Sequence, residues 1–373
     1  MKQLSIAIVG AGIVGATAAY QLSKTHHSVT IFDDGVGQAT SAAAGIICPW
    51  LSQRRNQEWY QLVKHGANYY PNLMEQLKQD GITELPYKQV GTLVFKKEKH
   101  QLEKLLQLAI KRREDAPMIG ELKLLSPEEI ATIIPGWIGT QSALFASGGG
   151  RVDGKQLTNQ LVTLAIKNNA TLHHEKVTLL SSTTLQTANG TQHFDKIIMA
   201  TGAWTKENLQ SLHLDIDIRP QKGQLIELDV PEPYTQKTAT FPVCMLHGEI
   251  DLIPFDNGKL LIGATHENDM GFDLTASTTL QQQMLEEACT QVEWLQPTTP
   301  FTHRVGTRAY TSDFSVFFGF VPENEHVLVA SGLGSSGLTS GAWIGSLLAK
   351  LCINEVLPID ITPYSPSRYI GAK

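Results

Sequence analysis

The sequence is poor in cysteine, has no concentrated basic segment and contains no long uninterrupted apolar run. Its four cysteines are scattered over 373 residues without a C-x-x-C pair, so neither a disulfide framework nor a zinc or other metal site is expected. The net charge is -6, and basic residues form only short clusters such as Arg54 and Arg55. Nucleic acid is therefore a poor candidate partner, because phosphate binding needs a concentrated basic face. The scattered cysteines favour the reducing cytoplasm as the location.

One apolar stretch, which follows Lys2, is similar to the start of a signal peptide. The letters GAGIVG interrupt it, Lys24 and two histidines follow it, and no cleavage-like site stands out. A signal peptide is therefore the less favoured interpretation of this stretch. No other segment approaches the roughly 18 uncharged apolar residues that span a bilayer, so we expect no integral membrane segment.

A G-x-G-x-x-G pattern near the start lies between a predicted buried strand, 4–9, and a predicted helix, 13–24. The pattern consists of Gly10, Gly12 and Gly15. The first glycine permits the tight turn, the second lets the backbone approach a pyrophosphate, and the third permits close packing of helix on strand. A second predicted strand, 29–32, ends at Asp33 and Asp34, which can accept hydrogen bonds from a ribose. Strand, helix, strand and acid in this order predict a dinucleotide site, and the alternative is a glycine-rich packing turn.

The same G-x-G-x-x-G pattern occurs again near the C-terminal end of the chain, at Gly332, Gly334 and Gly337. An apolar run, 327–330, precedes it, and a predicted helix, 338–353, follows. The residues after that helix, 354–373, show no strand with an acid to hold a ribose. This is therefore not a second complete βαβ unit. It is a glycine turn at a helix N-terminus, which suits another anionic or polar group of a ligand bound elsewhere.

The middle of the chain mixes helical and strand-like segments. Helical periodicity occurs at 57–80 and 98–115, and 194–199 is a predicted strand that ends in ATGAW. Residues 219–266 are predicted antiparallel strands, with an Asn-Gly hairpin in FDNGKLLIGAT. The fold class predicted is α/β (α+β overall), with interleaved domains. A Rossmann-like dinucleotide domain would comprise 1–82, 145–218 and 303–373, and a mixed-sheet substrate domain would comprise 83–144 and 219–302.

These segments together resemble the glycine oxidase, D-amino-acid oxidase and sarcosine oxidase family of FAD-dependent amine oxidoreductases, and glycine oxidase most closely. The resemblance runs from residue 4 to about residue 354. It rests on the first glycine pattern and on ATSAAAGII, IIMATGAW, IRPQKGQLIEL, LIPFDNGKLLIGAT, VGTRAYTSD and LVASGLGSSGL. Two alternatives stay open. A nicotinamide-dependent dehydrogenase would leave ATGAW and the second glycine turn unexplained, and a flavoprotein without a competent pocket would keep only the FAD motifs.

The resemblance implies that both glycine patterns contact one FAD per chain. The second turn would lie at the pyrimidine end of the flavin ring, where the helix dipole stabilises negative charge on the reduced flavin. At the nucleotide end it implies contacts from Gly10, Gly12, Ile13, Val14, Gly15, Asp33, Asp34 and Val177. Towards the flavin it implies contacts from Ala39, Thr40, Ser41, Ala44, Gly45, Ile46, Ala200, Gly202, Trp204, Gly332, Leu333, Gly334, Ser335, Ser336, Gly337, Leu338 and Thr339.

The position of Arg308 is functional in two branches of the family. It stands where some sarcosine oxidases carry the cysteine that binds flavin covalently, so FAD is expected to be non-covalent. It also matches the arginine that grips the substrate carboxylate in glycine oxidase, a role that suits the guanidinium fork. The resemblance thus makes Arg308 the catalytic and substrate-binding candidate, whereas an arginine taken alone favours a structural salt bridge.

Other substrate positions depart from the family pattern. Asp251 stands where relatives have a tyrosine, Ser335 replaces a second arginine, and Val316 replaces a proline. The remaining polar groups fall on neighbouring predicted strands and are His247, Glu249 and His266. They predict either a solvated strand edge or a more polar substrate pocket, in which Asp251 or Glu249 would meet a cationic substrate.

The resemblance also implies the reaction. A neutral amine or amino acid would give a hydride from its α-carbon to flavin N5, and the resulting imine would hydrolyse. The reduced flavin would then pass its electrons to O2 or to another acceptor.

Overall fold

The structure, a computed structural model, describes residues 2–37, 39–248 and 250–372. The α-helices of these residues are α1 (Ile13–Ser23), α2 (Gln57–Gln79), α3 (Lys99–Arg113), α4 (Pro127–Ile133), α5 (Gly154–Lys167), α6 (Thr205–Asn208), α7 (Thr278–Cys289) and α8 (Gly337–Cys352). The strands are β1 (Ser5–Val9), β2 (Ser28–Phe32), β3 (Ile46–Ile47), β4 (Tyr87–Gln89), β5 (Thr92–Phe95), β6 (Leu122–Leu125), β7 (Ala143–Ala146), β8 (Gly150–Val152), β9 (Thr171–His173), β10 (Thr178–Ser181), β11 (Thr184–Thr187), β12 (Gly190–His193), β13 (Lys196–Met199), β14 (Leu214–Ile216), β15 (Arg219–Asp229), β16 (Val243–Met245), β17 (Asp251–Pro254), β18 (Lys259–Gly263), β19 (Thr302–Tyr310), β20 (Phe317–Phe320), β21 (Val327–Ser331) and β22 (Ile370–Ala372).

A six-stranded sheet carries the first glycine pattern. Its strand order is β20-β21-β13-β1-β2-β9, and only β20 is antiparallel to its neighbour. β1 lies inside this sheet, which explains its uninterrupted apolar sequence. α1 packs against α5 and α8 beside the sheet. The predicted strand, helix and strand at 4–9, 13–24 and 29–32 are confirmed.

An eight-stranded mixed sheet forms the second layer. Its order is β19-β15-β18-β17-β16-β5-β7-β6, and the β16–β5 pair is parallel whereas the other pairs are antiparallel. The predicted hairpin is the β17–β18 pair, joined through a short 3-10 turn at Asp256–Gly258. The predicted α/β fold class, a Rossmann-like sheet combined with a mixed sheet, is confirmed.

Both predicted helical segments in the first half of the chain are also present, as α2 and α3. β19 pairs with β15 along its whole length, from Thr302 opposite Glu227 to Tyr310 opposite Arg219. The strand that carries Arg308 therefore belongs to the mixed sheet. The domain boundaries drawn from the sequence stay a prediction. Within the ranges that the structure describes, no helix combines the length and apolarity needed to cross a bilayer.

Candidate active site

Two adjoining cavities lie between the two sheets. The first, here called the nucleotide cavity, has a volume of about 400 Å³ and is bordered by the first glycine turn and the end of β2. The second, the sheet-facing cavity, has a volume of about 490 Å³ and is bordered by residues of the mixed sheet. The residues that line both are Ala39, Thr40, Arg308, Gly334 and Gly337. Together the cavities make one extended cleft with a glycine turn on each side.

The first glycine turn has the geometry that its sequence predicts. Gly10 has φ +96°, and a Cβ there would lie 2.4 Å from the carbonyl oxygen of Ala200. A Cβ at Gly15 would lie 1.8 Å from the carbonyl oxygen of Gly10, so only glycine allows α1 to approach β1 this closely. Gly12 differs, because a Cβ there would meet only Thr40 Oγ1, at 3.4 Å, on the wall of the nucleotide cavity. Its missing side chain leaves room for a ligand rather than for the protein.

The acid at the end of β2 holds this turn in place. The backbone N–H groups of Ala11 and Gly35 donate to the Asp33 carboxylate, at 2.5 and 2.7 Å. Asp34 is exposed and accepts a bond from the N–H of Val36 at 3.1 Å. Both acids line the nucleotide cavity. Asp33 therefore has a structural task as well as its expected ribose contact, and Asp34 is the more accessible carboxylate.

The nucleotide cavity fits the expected dinucleotide. The N–H groups of the first turn of α1, which have no acceptor within the helix, lie at its edge. On the opposite wall Thr307 Oγ1 is buried without a hydrogen-bond partner among the described residues. A buried hydroxyl left unpaired is costly, and a bound ligand would satisfy it. Among all residues that the structure describes, no group of three or more His, Cys, Asp or Glu side chains could hold a metal ion.

The ATGAW segment forms another wall of the nucleotide cavity. The carbonyl oxygen of Gly202 accepts a bond from Ser331 Oγ at 2.7 Å, which ties the segment to the end of β21. Trp204 packs over Gly37, where a Cβ would lie 2.1 Å from the indole ring. Val177 is buried on the same cavity.

The second glycine turn is held by Tyr310. The N–H of Ser335 donates to the phenol oxygen of Tyr310 at 2.9 Å. Gly334 has φ +51°, and a Cβ there would lie 2.2 Å from the Tyr310 ring. α8 begins directly after this turn, and its first residues line the sheet-facing cavity. The turn therefore points a long helix N-terminus at the cleft, as expected from the sequence.

Arg308 lies on the wall shared by the cavities. Its Nη1 donates to the carbonyl oxygen of Thr265 at 2.9 Å and to Gln221 Oε1 at 3.2 Å. Both acceptors are neutral, and no ion pair of Arg308 occurs among the described residues. Burial lowers the pKa of Arg308, and the nearby charge of Glu267 opposes that shift. A half-buried guanidinium with neutral partners is well suited to a ligand carboxylate.

The sheet-facing cavity also brings together the departures from the family pattern. Asp251, His266 and Ser335 line it with Arg308. Burial raises the pKa of Asp251 to about 7, and a bond from the N–H of Leu246 opposes the shift. Glu249 lies outside the described residues, so the expectation that it meets a substrate has no structural counterpart here.

Five of the singled-out residues are not among those that line the cleft, and one of them, His247, is exposed outside both cavities. Gly15 packs against Gly10, Gly332 turns the chain against Ser315, and Val316 is buried in the core. Ser41 follows Thr40 without lining either cavity. All other predicted cofactor and substrate residues that the structure describes line one cavity or both.

Several lining or supporting residues were not singled out from the sequence. Trp59 Nε1 donates to Ser336 Oγ at 3.1 Å across 277 positions of the chain, a pairing with no local signal. Gly223 lies under Arg308 in the middle of β15. An isolated glycine inside a strand often marks a close approach, and that signal could have identified it. Others include Gly37, Cys48, Met245, Thr307 and Tyr310.

Known proteins match this chain over nearly its whole length. The pattern of the family described as FAD dependent oxidoreductase (DAO) matches residues 5–351. The uncharacterized oxidoreductase YurR of Bacillus subtilis (strain 168) is 40% identical over 369 residues, 97% of this chain and 98% of that protein. Glycine oxidase of Geobacillus kaustophilus (strain HTA426) is 25% identical, over 98% of this chain and 97% of that protein. The crystal structure of iminodiacetate oxidase (IdaA) from Chelativorans sp. BNC1 has a TM-score of 0.91 and 33% identity, covering 97% of this chain and 98% of that one. The chain therefore belongs to the FAD-dependent oxidoreductase family and is a glycine-oxidase-like enzyme.

Proposed function

We propose that the enzyme oxidises the C–N bond of a small amino acid or N-substituted amino acid. The observation that carries this proposal is Arg308, a half-buried guanidinium in the cleft whose acceptors are neutral. The names of the relatives agree in substrate class, since glycine is an amino acid and iminodiacetate an N-substituted one. Membership of the family excludes the nicotinamide-dependent alternative.

When bound, FAD would supply a two-electron oxidation in which the substrate α-carbon gives up a hydride, the nitrogen loses a proton and water hydrolyses the imine product. The two electrons would then pass to O2 or to another acceptor. Without a cysteine at position 308, we infer that FAD is held without a covalent bond.

The protein's own contribution is binding and orientation. Arg308 would hold the substrate carboxylate through two parallel charge-assisted bonds. Thr265 and Gln221 already fix one nitrogen of the guanidinium, which limits its freedom before substrate arrives. A carboxylate held in this way places the α-carbon at a fixed position in the cleft, and such positioning lowers the barrier.

Each of the two glycine turns would bind a different part of the cofactor. The turn after β1 would hold the pyrophosphate at the N-terminus of α1, with Asp33 and Asp34 at the ribose. The turn before α8 would place that helix N-terminus at the flavin ring, where its partial positive charge favours the reduced, anionic form. Tyr310 supports this role by holding the N–H of Ser335.

We also propose the cytoplasm as the location. All four cysteines are free, and Cys48, Cys244 and Cys352 are buried. Free thiols are typical of a reducing compartment.

Anaerobic reduction of the bound flavin tests the proposed function. Amino acids would be compared with matched amines that lack the carboxylate, in the wild type and in Arg308→Ala. Removing the guanidinium should cost roughly 2–5 kcal/mol in substrate binding or reduction, with FAD still bound. Arg304→Ala is the matched control, because Arg304 lies on the same strand but pairs with Glu227 at 2.9 Å. If no amino acid bleaches the flavin, a flavoprotein without a competent pocket becomes the better description.

A further inference from the structure

One face of the mixed sheet carries both charged ends of the sheet-facing cavity. Asp251 on β17 is opposite Gly263 on β18, and Gly263 is opposite Leu225 on β15. Residues directly opposite one another in an antiparallel sheet point to the same face. Leu225 packs with Ala44 and Ile46, which approach from the FAD-binding side. Asp251 therefore belongs to the face that looks towards the flavin side of the cleft.

Arg308 reaches the same face at a different place. Its guanidinium lies over Gly223, two positions from Leu225 on β15. The Cα atoms of Gly223 and Asp251 are thus separated by two residues along the strand and by two strand spacings. With about 3.3 Å per residue and about 4.8 Å between strands, that separation is about 12 Å.

This separation is larger than a simple amino acid. The backbone of glycine extends less than about 4 Å from its nitrogen to its carboxylate oxygens. A glycine whose carboxylate is bound to Arg308 spans about a third of that separation, so its amine lies closer to Arg308 than to Asp251. Asp251 is therefore better placed for a group at the far end of a longer substrate.

The surroundings of Asp251 favour a cation as that group. Its side chain is half-buried on the cavity wall and takes part in no ion pair among the described residues. Its neighbours on β16 are Cys244 and Met245, which offer no positive charge. A carboxyl group withdrawn from water with only a backbone N–H as its partner is destabilised as an anion, and a ligand cation relieves this cost. The cavity thus carries a positive charge at one end and an acid at the other.

We propose that Asp251 is a specificity-determining residue that binds a cationic group at the far end of the substrate, while Arg308 holds the carboxylate. This inference rests on the proposed function and narrows it. The substrate class is an amino acid, N-substituted in the simplest case, whose distal end carries an ammonium or guanidinium group. The C–N bond to be oxidised lies between the two charged anchors.

Three synthetic probes of equal length test the proposal. They are N-(4-aminobutyl)glycine, N-pentylglycine and N-(4-carboxybutyl)glycine, which differ only in ending in an ammonium, a methyl or a carboxylate group. For the FAD-loaded enzyme, the affinity of each would be measured anaerobically from the perturbation of the flavin spectrum, and flavin reduction would be followed separately. The wild type should bind the ammonium probe about tenfold more tightly than the methyl probe, or better.

Variants of Asp251 separate recognition of the ammonium group from structural effects of the substitution. Asp251→Asn should lose the preference for the ammonium probe but bind N-pentylglycine as the wild type does, and Asp251→Glu should keep part of the preference. Equal affinity for the ammonium and methyl probes in the wild type, or a preference for the carboxylate probe, would overturn the inference. If N-pentylglycine still reduces the flavin in a manner sensitive to Arg308→Ala, the proposed function survives that outcome. If no probe binds, the inference also fails, and glycine and N-methylglycine then test the proposed function alone.

Discussion

The guanidinium of Arg308 lies over Gly223 so closely that a Cβ atom there would be 2.5 Å from Nη1. The two residues belong to adjacent strands, where Gly223 is opposite Gly306 and Arg308 is opposite Gln221. A glycine at this point of β15 therefore makes room for the side chain that we propose to bind the substrate carboxylate.

Gly223→Ala should displace Arg308 without unfolding the protein. The clash is with the end of a flexible side chain, which can move, rather than with backbone. A displaced guanidinium should lower the rate of flavin reduction by amino acids on the order of a hundredfold, because small misplacements of a positioning group are costly. Stopped-flow reduction measures this effect, with FAD content and thermal stability as controls. Wild-type kinetics in Gly223→Ala would mean that Arg308 does not need its present position.

Asp33 and Asp34 should contribute unequally to FAD retention. Asp33 also fixes the N–H of Ala11 and of Gly35, so its loss should disturb the glycine turn as well as the ribose contact. We expect Asp33→Ala and Asp34→Ala together to weaken FAD binding on the order of 1–3 kcal/mol, with most of the loss in the Asp33 variant. Fluorescence of flavin released on dilution measures it. Undiminished retention in the double variant would show that the adenosine is held by other residues.

Thr307→Val tests whether a ligand in the nucleotide cavity forms a hydrogen bond with the buried hydroxyl of Thr307. Without a ligand Thr307 Oγ1 has no partner in the described chain, so removing it should leave the apoprotein as stable or more stable. With FAD bound the variant should lose one hydrogen bond, worth roughly 0.5–1.5 kcal/mol of cofactor affinity. Denaturant midpoints with and without FAD separate the two effects. A loss of stability confined to the apoprotein would contradict the expected contact with the cofactor.

Binding of the ammonium probe N-(4-aminobutyl)glycine should strengthen as pH rises through about 7. Burial raises the pKa of Asp251 to about 7, so below that pH its carboxyl is neutral and cannot form an ion pair. Within the described ranges, other ionisable side chains near it are Cys244 on β16, His247 after that strand, and His266 and Arg308 on the cavity wall. Comparison with Asp251→Asn isolates the contribution of the Asp251 carboxyl to the pH profile. The variant should lose the part of the profile that depends on Asp251, and identical profiles would remove Asp251 as the titrating group.

Local patterns predicted the secondary structure around the first glycine turn well. All ends of β1, α1 and β2 lie within one residue of the predicted bounds, because a buried strand, a glycine turn and an amide-donating helix each leave a signal within a few positions. The second glycine turn was correctly distinguished from a second βαβ unit. β22, the strand that follows it, pairs with β14 outside the six-stranded sheet.

Residues that support the site from distant parts of the chain could not be predicted in this way. The contact of Gly223 with Arg308 depends on the register between β15 and β19. The contact of Tyr310 with Ser335 depends on how the second glycine turn packs against the end of β19. The distance between Arg308 and Asp251 likewise depends on the order of four strands, which no local pattern encodes. The motif resemblance identified Arg308, but the neutral character of its partners emerged only from the structure.

The most direct test of the central claim is the rate at which matched pairs of compounds reduce the flavin of the wild-type enzyme without oxygen. Glycine would be compared with methylamine, and N-methylglycine with dimethylamine, so that each pair differs only in the carboxylate. If Arg308 holds that carboxylate, the amino acid of at least one pair should bleach the flavin while its amine partner leaves it oxidised. Equally fast reduction by both members of a pair would contradict the claim and indicate a pocket for plain amines.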